Sequence, residues 1–171
     1  MSTKRSILIW GLAVGAVSIG LMLASMPLGE RLGFEYSMAI GYTALLLSAL
    51  LIYPGVRSYR DRVASGRMTF GRGFLVGLGI AAVAAVTYVA IWEVVYFTFM
   101  PDYCDKYAAF TIEQARSSGA SPDRIAEATA QAEQMKRLMQ NPLTNAAMAL
   151  FEPLPVGILA ALVSAGILRR K

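Results

Sequence analysis

Four long, mostly apolar blocks divide this chain, and no other feature of its 171 residues constrains the fold as strongly. A helix rises about 1.5 Å per residue and the hydrocarbon core of a bilayer is about 30 Å thick, so roughly 20 such residues suffice to cross it. The blocks run from Ile7 to Met26, from about Tyr36 to Tyr53, from about Phe74 to Met100 and from about Leu143 to Leu168. Pro27 closes the first, and Pro54 with Gly55 closes the second, which is the shortest. The last two exceed the minimum and imply tilt or kinking. The expected fold is all-α: an integral membrane four-helix bundle forming one membrane domain over residues 1–171, with residues 101–142 inserted as an extracytoplasmic helical hairpin between spans three and four. The first block is too long for the core of a cleaved signal peptide and ends without a small-x-small cleavage site.

Lysines and arginines outnumber acids by 16 to 11, a balance that in a soluble protein would suggest a nucleic-acid partner. Here the arginines gather in short segments beside the apolar blocks, where anionic headgroups and membrane insertion account for them. Nucleic acid is therefore not an expected partner; the bilayer is. Arg57, Arg60, Arg62, Arg67 and Arg72 stand against only Asp61 between spans two and three, Lys4 and Arg5 precede span one, and Arg169, Arg170 and Lys171 follow span four. These three segments belong in the cytoplasm by the positive-inside rule, which puts both termini there. The first connection balances Arg31 with Glu30 and Glu35, and the long third loop mixes five basic residues with six acids, so both belong outside. The expected location is a membrane crossed four times, with both termini on its cytoplasmic side. Trp10 and Tyr53 then lie near the inner interface, and Tyr96, Phe97 and Tyr103 near the outer one, as amphipathic rings prefer.

Lipid tails do not drive helices together, so close contact relies on small residues. Gly11 with Gly15 in span one and Gly73 with Gly77 in span three form such pairs at matching depth near the cytoplasmic end, and Ala161 with Ala165 and Ala160 with Ser164 give span four a similar face. In the outer loop, Tyr103, Tyr107 and Phe110 share a helical face, and residues 117–120 interrupt the run. Ser121 before Pro122 then signals a helix start. Ile125, Ala128, Ala132, Met135 and Met139 line the apolar face of the second helix, and Asn141 before Pro142 caps the last span.

Two acids lie within the apolar blocks, Glu93 seven residues before Met100 and Glu152 nine residues after Leu143. An ionisable residue there costs roughly 2.5–3.5 kcal/mol by insertion measurements and is by default a functional-site candidate. By helix rise both lie on the order of 10–14 Å below the outer boundary and can share one layer of the bundle. No lysine or arginine occurs in any block, so an acid there is either neutral or shares a cation, and the two form a candidate proton or cation site. Pro153 and Pro155 follow Glu152 and lack amide hydrogens, so the carbonyls of Ala149 and Phe151 lose their helical partners and the helix kinks. Such broken helices coordinate ions in some transporters, and they also arise as simple bends. Tyr88, Trp92 and Tyr96 form a stripe at spacing four that packs on a neighbour or lines a cavity.

Four segments, Arg67 to Gly77 (RMTFGRGFLVG), Tyr88 to Tyr96 (YVAIWEVVY), Met100 to Tyr107 (MPDYCDKY) and Phe151 to Lys171 (FEPLPVGILAALVSAGILRRK), together resemble a bacterial family of small four-span membrane proteins catalogued as domain of unknown function 4199 and common in Bacteroidetes. The resemblance covers most of the chain and implies the same topology. The family carries no assigned activity, so it contributes no catalytic residues. One cysteine and no histidine exclude a disulfide framework and a recognisable zinc or haem set, no cofactor is expected, and no nucleophile with a base and no phosphate loop marks an enzyme. The reading is a non-enzymatic inner-membrane protein, a structural or accessory component that contacts an envelope protein or a second copy through its outer hairpin. The alternative is a small transporter or proton- or cation-coupled subunit using Glu93 and Glu152.

Overall fold

The computed structural model describes residues 2–169, and their side chains except those of residues 28–32, 34, 35, 37 and 38. The charges of Glu30, Arg31, Glu35, Arg170 and Lys171, used above for orientation, lie outside this description. Eight α-helices follow one another among the described residues: α1 (Thr3–Leu32), α2 (Phe34–Ala49), α3 (Ile52–Arg62), α4 (Phe70–Phe99), α5 (Tyr103–Ser117), α6 (Pro122–Gln140), α7 (Pro142–Phe151) and α8 (Pro153–Leu168). Four stretches, Thr3–Pro27, Ala39–Arg62, Phe70–Phe99 and Pro142–Leu168, are long and apolar enough to cross a membrane. Leu12, Leu46, Leu75, Val86, Leu159, Val163 and Ile167 are exposed on them. Large aliphatic surfaces of this kind suit lipid tails, which are as apolar as leucine.

The first apolar stretch ends at Pro27 as expected, but Pro27 does not end the helix, which continues to Leu32. A proline removes only one intrahelical bond, here the one to the Leu23 carbonyl, and a helix whose remaining bonds hold can continue past it. The expectation that Pro54 and Gly55 end the second span is corrected. The helix breaks earlier, at Leu50 and Leu51, and restarts as α3, in whose first turn Pro54 sits. An amide there has no intrahelical acceptor, so its loss costs nothing. The consequence is a polar extension, α3, that buries Ile52, Gly55, Val56 and Tyr59 on one face and turns Arg57 and Arg62 outward. Gly66, at φ 81° in the connection to α4, donates its amide to the Arg60 carbonyl at 2.9 Å and closes the end of α3. That left-handed conformation favours glycine.

The chain divides into two compact units, Met1–Ile91 with Leu150–Lys171, and Trp92–Ala149. In the first, α1 packs on α2 and α3, and α8 packs on α2 and α3. Its core gathers Val14, Ile52, Val56, Tyr59, Met68, Val76, Ile80 and Leu168. Glycines set the closest approaches. A Cβ at Gly11 would stand 2.5 Å from Val83 Cβ, and one at Gly15 would stand 2.9 Å from Thr87 Cβ, so α1 rides directly on α4. On the other side of α4, a Cβ at Gly73 would meet Ala165 Cβ at 3.3 Å and one at Gly77 would meet Ala161 Cβ at 2.8 Å. Gly157 of α8 faces Ala81 at 2.9 Å in the same way. Ala161, Ala165 and Ser164 are buried.

In the second unit α5 and α6 pack together antiparallel, tied by an ion pair from Lys136 near the end of α6 to Asp105 near the start of α5. Ser121 caps α6, its hydroxyl accepting from the Arg124 amide at 3.4 Å, with Pro122 as the first helical residue. The covered face of α6 comprises Ile125, Ala128, Thr129, Ala132, Lys136 and Met139, whereas Met135, expected on that face, is exposed. Steps of four, three and four residues from Ile125 lead past Thr129 and Ala132 to Lys136, whose aliphatic stem can lie along this face while its ammonium reaches Asp105.

Candidate functional site

Glu152 stands between α7 and α8. Its backbone keeps right-handed helical angles (φ −65°, ψ −52°), yet the helix is interrupted there because Pro153 opens α8 without an amide hydrogen. The residue is exposed on the surface of the chain and borders a cavity of about 50 Å³ together with Ser18, Met22, Gly41, Ala44, Leu45, Tyr88 and Pro153. A second space of about 30 Å³ shares Ser18, Leu45, Tyr88 and Pro153 and extends to Ser48. A water needs about 10–15 Å³ of such volume, so the larger space accommodates a few waters or one cation with part of its shell.

The two serine hydroxyls at this site have a definite polarity. Ser18 donates to the Val14 carbonyl at 2.9 Å and Ser48 donates to the Leu45 carbonyl at 2.8 Å, both within their own helices. With their protons committed, these oxygens present lone pairs. Glu152 adds two carboxyl oxygens, so the site is rich in acceptors and suits a cation, a proton or water in preference to an anion.

Glu93 lies on the part of α4 that belongs to the second unit. It is half-buried, and its Oε1 is fully buried with no hydrogen-bond partner among the described residues. The same unit holds a polar and aromatic assembly. Asn145 of α7 is completely buried; its Oδ1 accepts from Trp92 Nε1 at 2.9 Å and its Nδ2 donates to the Met139 carbonyl at 3.0 Å. One amide thereby joins α4, the last turn of α6 and α7. Tyr96 Oη and Cys104 Sγ are 2.9 Å apart, and ring centroids follow at 5.6 Å from Trp92 to Tyr96, 6.3 Å to Tyr103 and 6.5 Å on to Tyr107.

The sequence-derived residues are therefore distributed over both units: Glu152, Pro153 and Pro155 with the four glycines in the first, and Glu93 in the second. The aromatic stripe divides as well, Tyr88 bordering the Glu152 cavity while Trp92 and Tyr96 join the second unit. Asn145, Ser18 and Ser48 went unnoticed in the sequence. Isolated polar residues in apolar blocks are common enough to hide, but Asn145 carried a signal, since an uncompensated carboxamide in a span needs internal partners. Asn141 Oδ1 accepts from the Leu143 amide at 2.9 Å at the start of α7. Among the described residues no three of His, Cys, Asp and Glu come together as a metal site.

Residues 9–170 match the family model described as protein of unknown function, DUF4199. No curated protein and no solved structure matches the chain.

Proposed function

The chain belongs to the DUF4199 family, and from its own geometry we propose that it is a non-enzymatic, structural or accessory protein of the bacterial inner membrane, acting through contacts with an envelope protein or a second copy. In this reading the four apolar stretches span the bilayer, both termini are cytoplasmic, and residues 101–142 form an outer helical hairpin that carries the contact surface. The observation that carries the reading is a pair of large apolar side chains, Met135 and Leu138, each 37% exposed on α6. They lie outside all four apolar stretches, so lipid tails do not account for them. Spaced by three residues, they share a helical face and offer a compact anchor for another protein surface. The test compares wild type with a Met135→Glu, Leu138→Glu chain by the mass of the particle extracted from membranes in mild detergent. A wild-type particle heavier than one chain that the substitution reduces to one chain supports the reading; equal masses overturn it.

The acceptor-rich cavity at Glu152 favours a second reading, a small transporter or proton- or cation-coupled subunit using Glu152 together with Glu93. Thermal stability in detergent from about pH 5 to 9, with a panel of cations, separates the two. A cation- or pH-linked shift that Glu93→Gln, Glu152→Gln abolishes supports coupling; coincident curves confine both acids to a structural role.

A further inference from the structure

Tyr59, the largest completely buried side chain of the first unit, ends not in the core but at an arginine. Arg72 Nε donates to Tyr59 Oη at 2.7 Å, and the guanidinium carbon stands 5.7 Å from the centroid of the same ring. Thr3 Oγ1 approaches that hydroxyl to 3.5 Å. The starts of α1 and α4 and the last turn of α3 thus meet at one phenol oxygen. In the proposed topology, on which this inference rests, three apolar stretches end here and the guanidinium stands at headgroup depth.

Among the described residues Arg72 has no ion-pair partner, which is equally informative. Asp61 is the one acid in the whole segment between Tyr53 and Phe74, and it is engaged by Arg60 at 2.7 Å and Arg57 at 3.7 Å. Arg72 bonds a neutral phenol instead, which orients the guanidinium without cancelling its charge. Arginine has five N–H donors in a planar fork; Nε occupies one here, and the four on the two Nη atoms lie on an exposed residue. Lys4 and Arg5, both exposed, follow Thr3 directly and keep the surrounding potential positive. A guanidinium fixed by its Nε and open at its Nη edge is the geometry that grips a phosphate with two parallel hydrogen bonds, and its prior fixation removes part of the ordering cost.

We propose that Arg72, held on Tyr59, forms a binding site for a phosphate group, supplied either by an anionic phospholipid headgroup or by a soluble phosphate. The site differs from the diffuse attraction of basic segments for anionic membranes, because it depends on one fork held by one hydroxyl. Arg72→Lys keeps the charge and removes the fork; Tyr59→Phe keeps the ring and removes the anchor. Arg62→Lys, on an exposed arginine of the same segment, is the control.

The full chain is titrated in uncharged detergent with phosphatidylglycerol, with phosphatidylcholine and with inorganic phosphate, and the apparent affinity is read from the thermal shift and from lipid adducts in native mass spectrometry. Wild type and Arg62→Lys are expected to bind alike, Arg72→Lys about tenfold more weakly, and Tyr59→Phe more weakly in the same direction. Protection by phosphatidylglycerol alone identifies a headgroup as the source, and equal protection by inorganic phosphate identifies a soluble one. Undiminished binding by a folded Arg72→Lys chain, or binding of phosphatidylcholine as strong as that of phosphatidylglycerol, overturns the proposal. Because Arg72→Lys changes no buried side chain, its native melting transition serves as the check that it folds.

Discussion

Exchanging Gly157 and Ala81 should be nearly silent although each substitution alone is harmful. A methyl group placed on Gly157 would stand 2.9 Å from Ala81 Cβ, against roughly 3.5–4.0 Å for carbon atoms at rest, so α8 and α4 would have to part by about 0.6–1 Å. Overpacking of this kind costs about 1–3 kcal/mol, and the better helix propensity of alanine returns about 1 kcal/mol, leaving Gly157→Ala destabilised by about 0–2 kcal/mol. Ala81→Gly alone loses about 1 kcal/mol of propensity together with the packing of its methyl. In the double variant the propensities cancel and the offending Cβ is gone; the new methyl meets only the residue-81 Cα, at 3.9 Å, an ordinary contact. The exchange should fall within about 0.5 kcal/mol of wild type, with a coupling energy of about 1–3 kcal/mol in the double-mutant cycle. Thermal unfolding in detergent, followed by far-ultraviolet circular dichroism, measures all four chains. A double variant as unstable as the sum of its parts would refute the direct meeting of α4 and α8 at this level. Gly166→Ala, with open space around it, is the internal standard and should be neutral or stabilising by up to about 1 kcal/mol.

Asn145→Leu should destabilise by about 1–2 kcal/mol, since it leaves the Trp92 indole N–H and the Met139 carbonyl without their partner and interhelical bonds in membrane proteins average about 0.6 kcal/mol; amide exchange in the last turn of α6 should accelerate, and unchanged exchange would show that the carboxamide is not the tie. The neighbouring Asp105 carboxylate, chiefly through its hydrogen bond, holds the Lys136 ammonium above the ordinary lysine value. A raised folded-state value means that the contribution is complete below the unfolded value, about 10.4, and is lost as pH rises through the folded one, so melting curves of wild type and Lys136→Met should differ at neutral pH and converge in strong alkali. Gly66→Ala should cost about 1–2 kcal/mol at its left-handed position, whereas Ser118→Ala in the exposed turn after α5 should change the melting midpoint little. Cys104 is buried against Tyr96, so a maleimide should modify it slowly in the folded protein and faster in Tyr96→Phe; equal rates would show that the hydroxyl does not shield the thiol.

The apolar blocks were legible because their length answers to a single physical scale, the thickness of the hydrocarbon core, and the N-cap and proline at Ser121 and Pro122 were legible because capping is local. The end of the second span was misread for a related reason. Pro27 and Pro54 look alike in sequence, but one closes its apolar stretch inside a helix that runs on and the other sits in a first turn that needs no amide. Met135 and Lys136 were exchanged because a hydrophobicity pattern scores a lysine by its charge and overlooks its stem. The partners of Asn145 and Tyr59 depend on which helices meet, and long-range pairing leaves no trace in one sequence. Glu152 was visible as a charge in a span; the cavity beside it was not.

The two sides of α4 differ in when they can be filled. Its contacts with Gly11 and Gly15 involve a helix that is already made when α4 leaves the ribosome, whereas Ala161 and Ala165, which cover Gly77 and Gly73, are made later. At about 5–20 residues per second, the fifty or so residues separating the end of α4 from α8 take roughly 3–10 s to synthesise. For that interval a glycine-lined groove on a membrane helix stands open to any small-faced helix nearby, and α8 is its latecomer. Whatever attends the birth of this protein in the membrane meets it first as a bundle with one side unsealed.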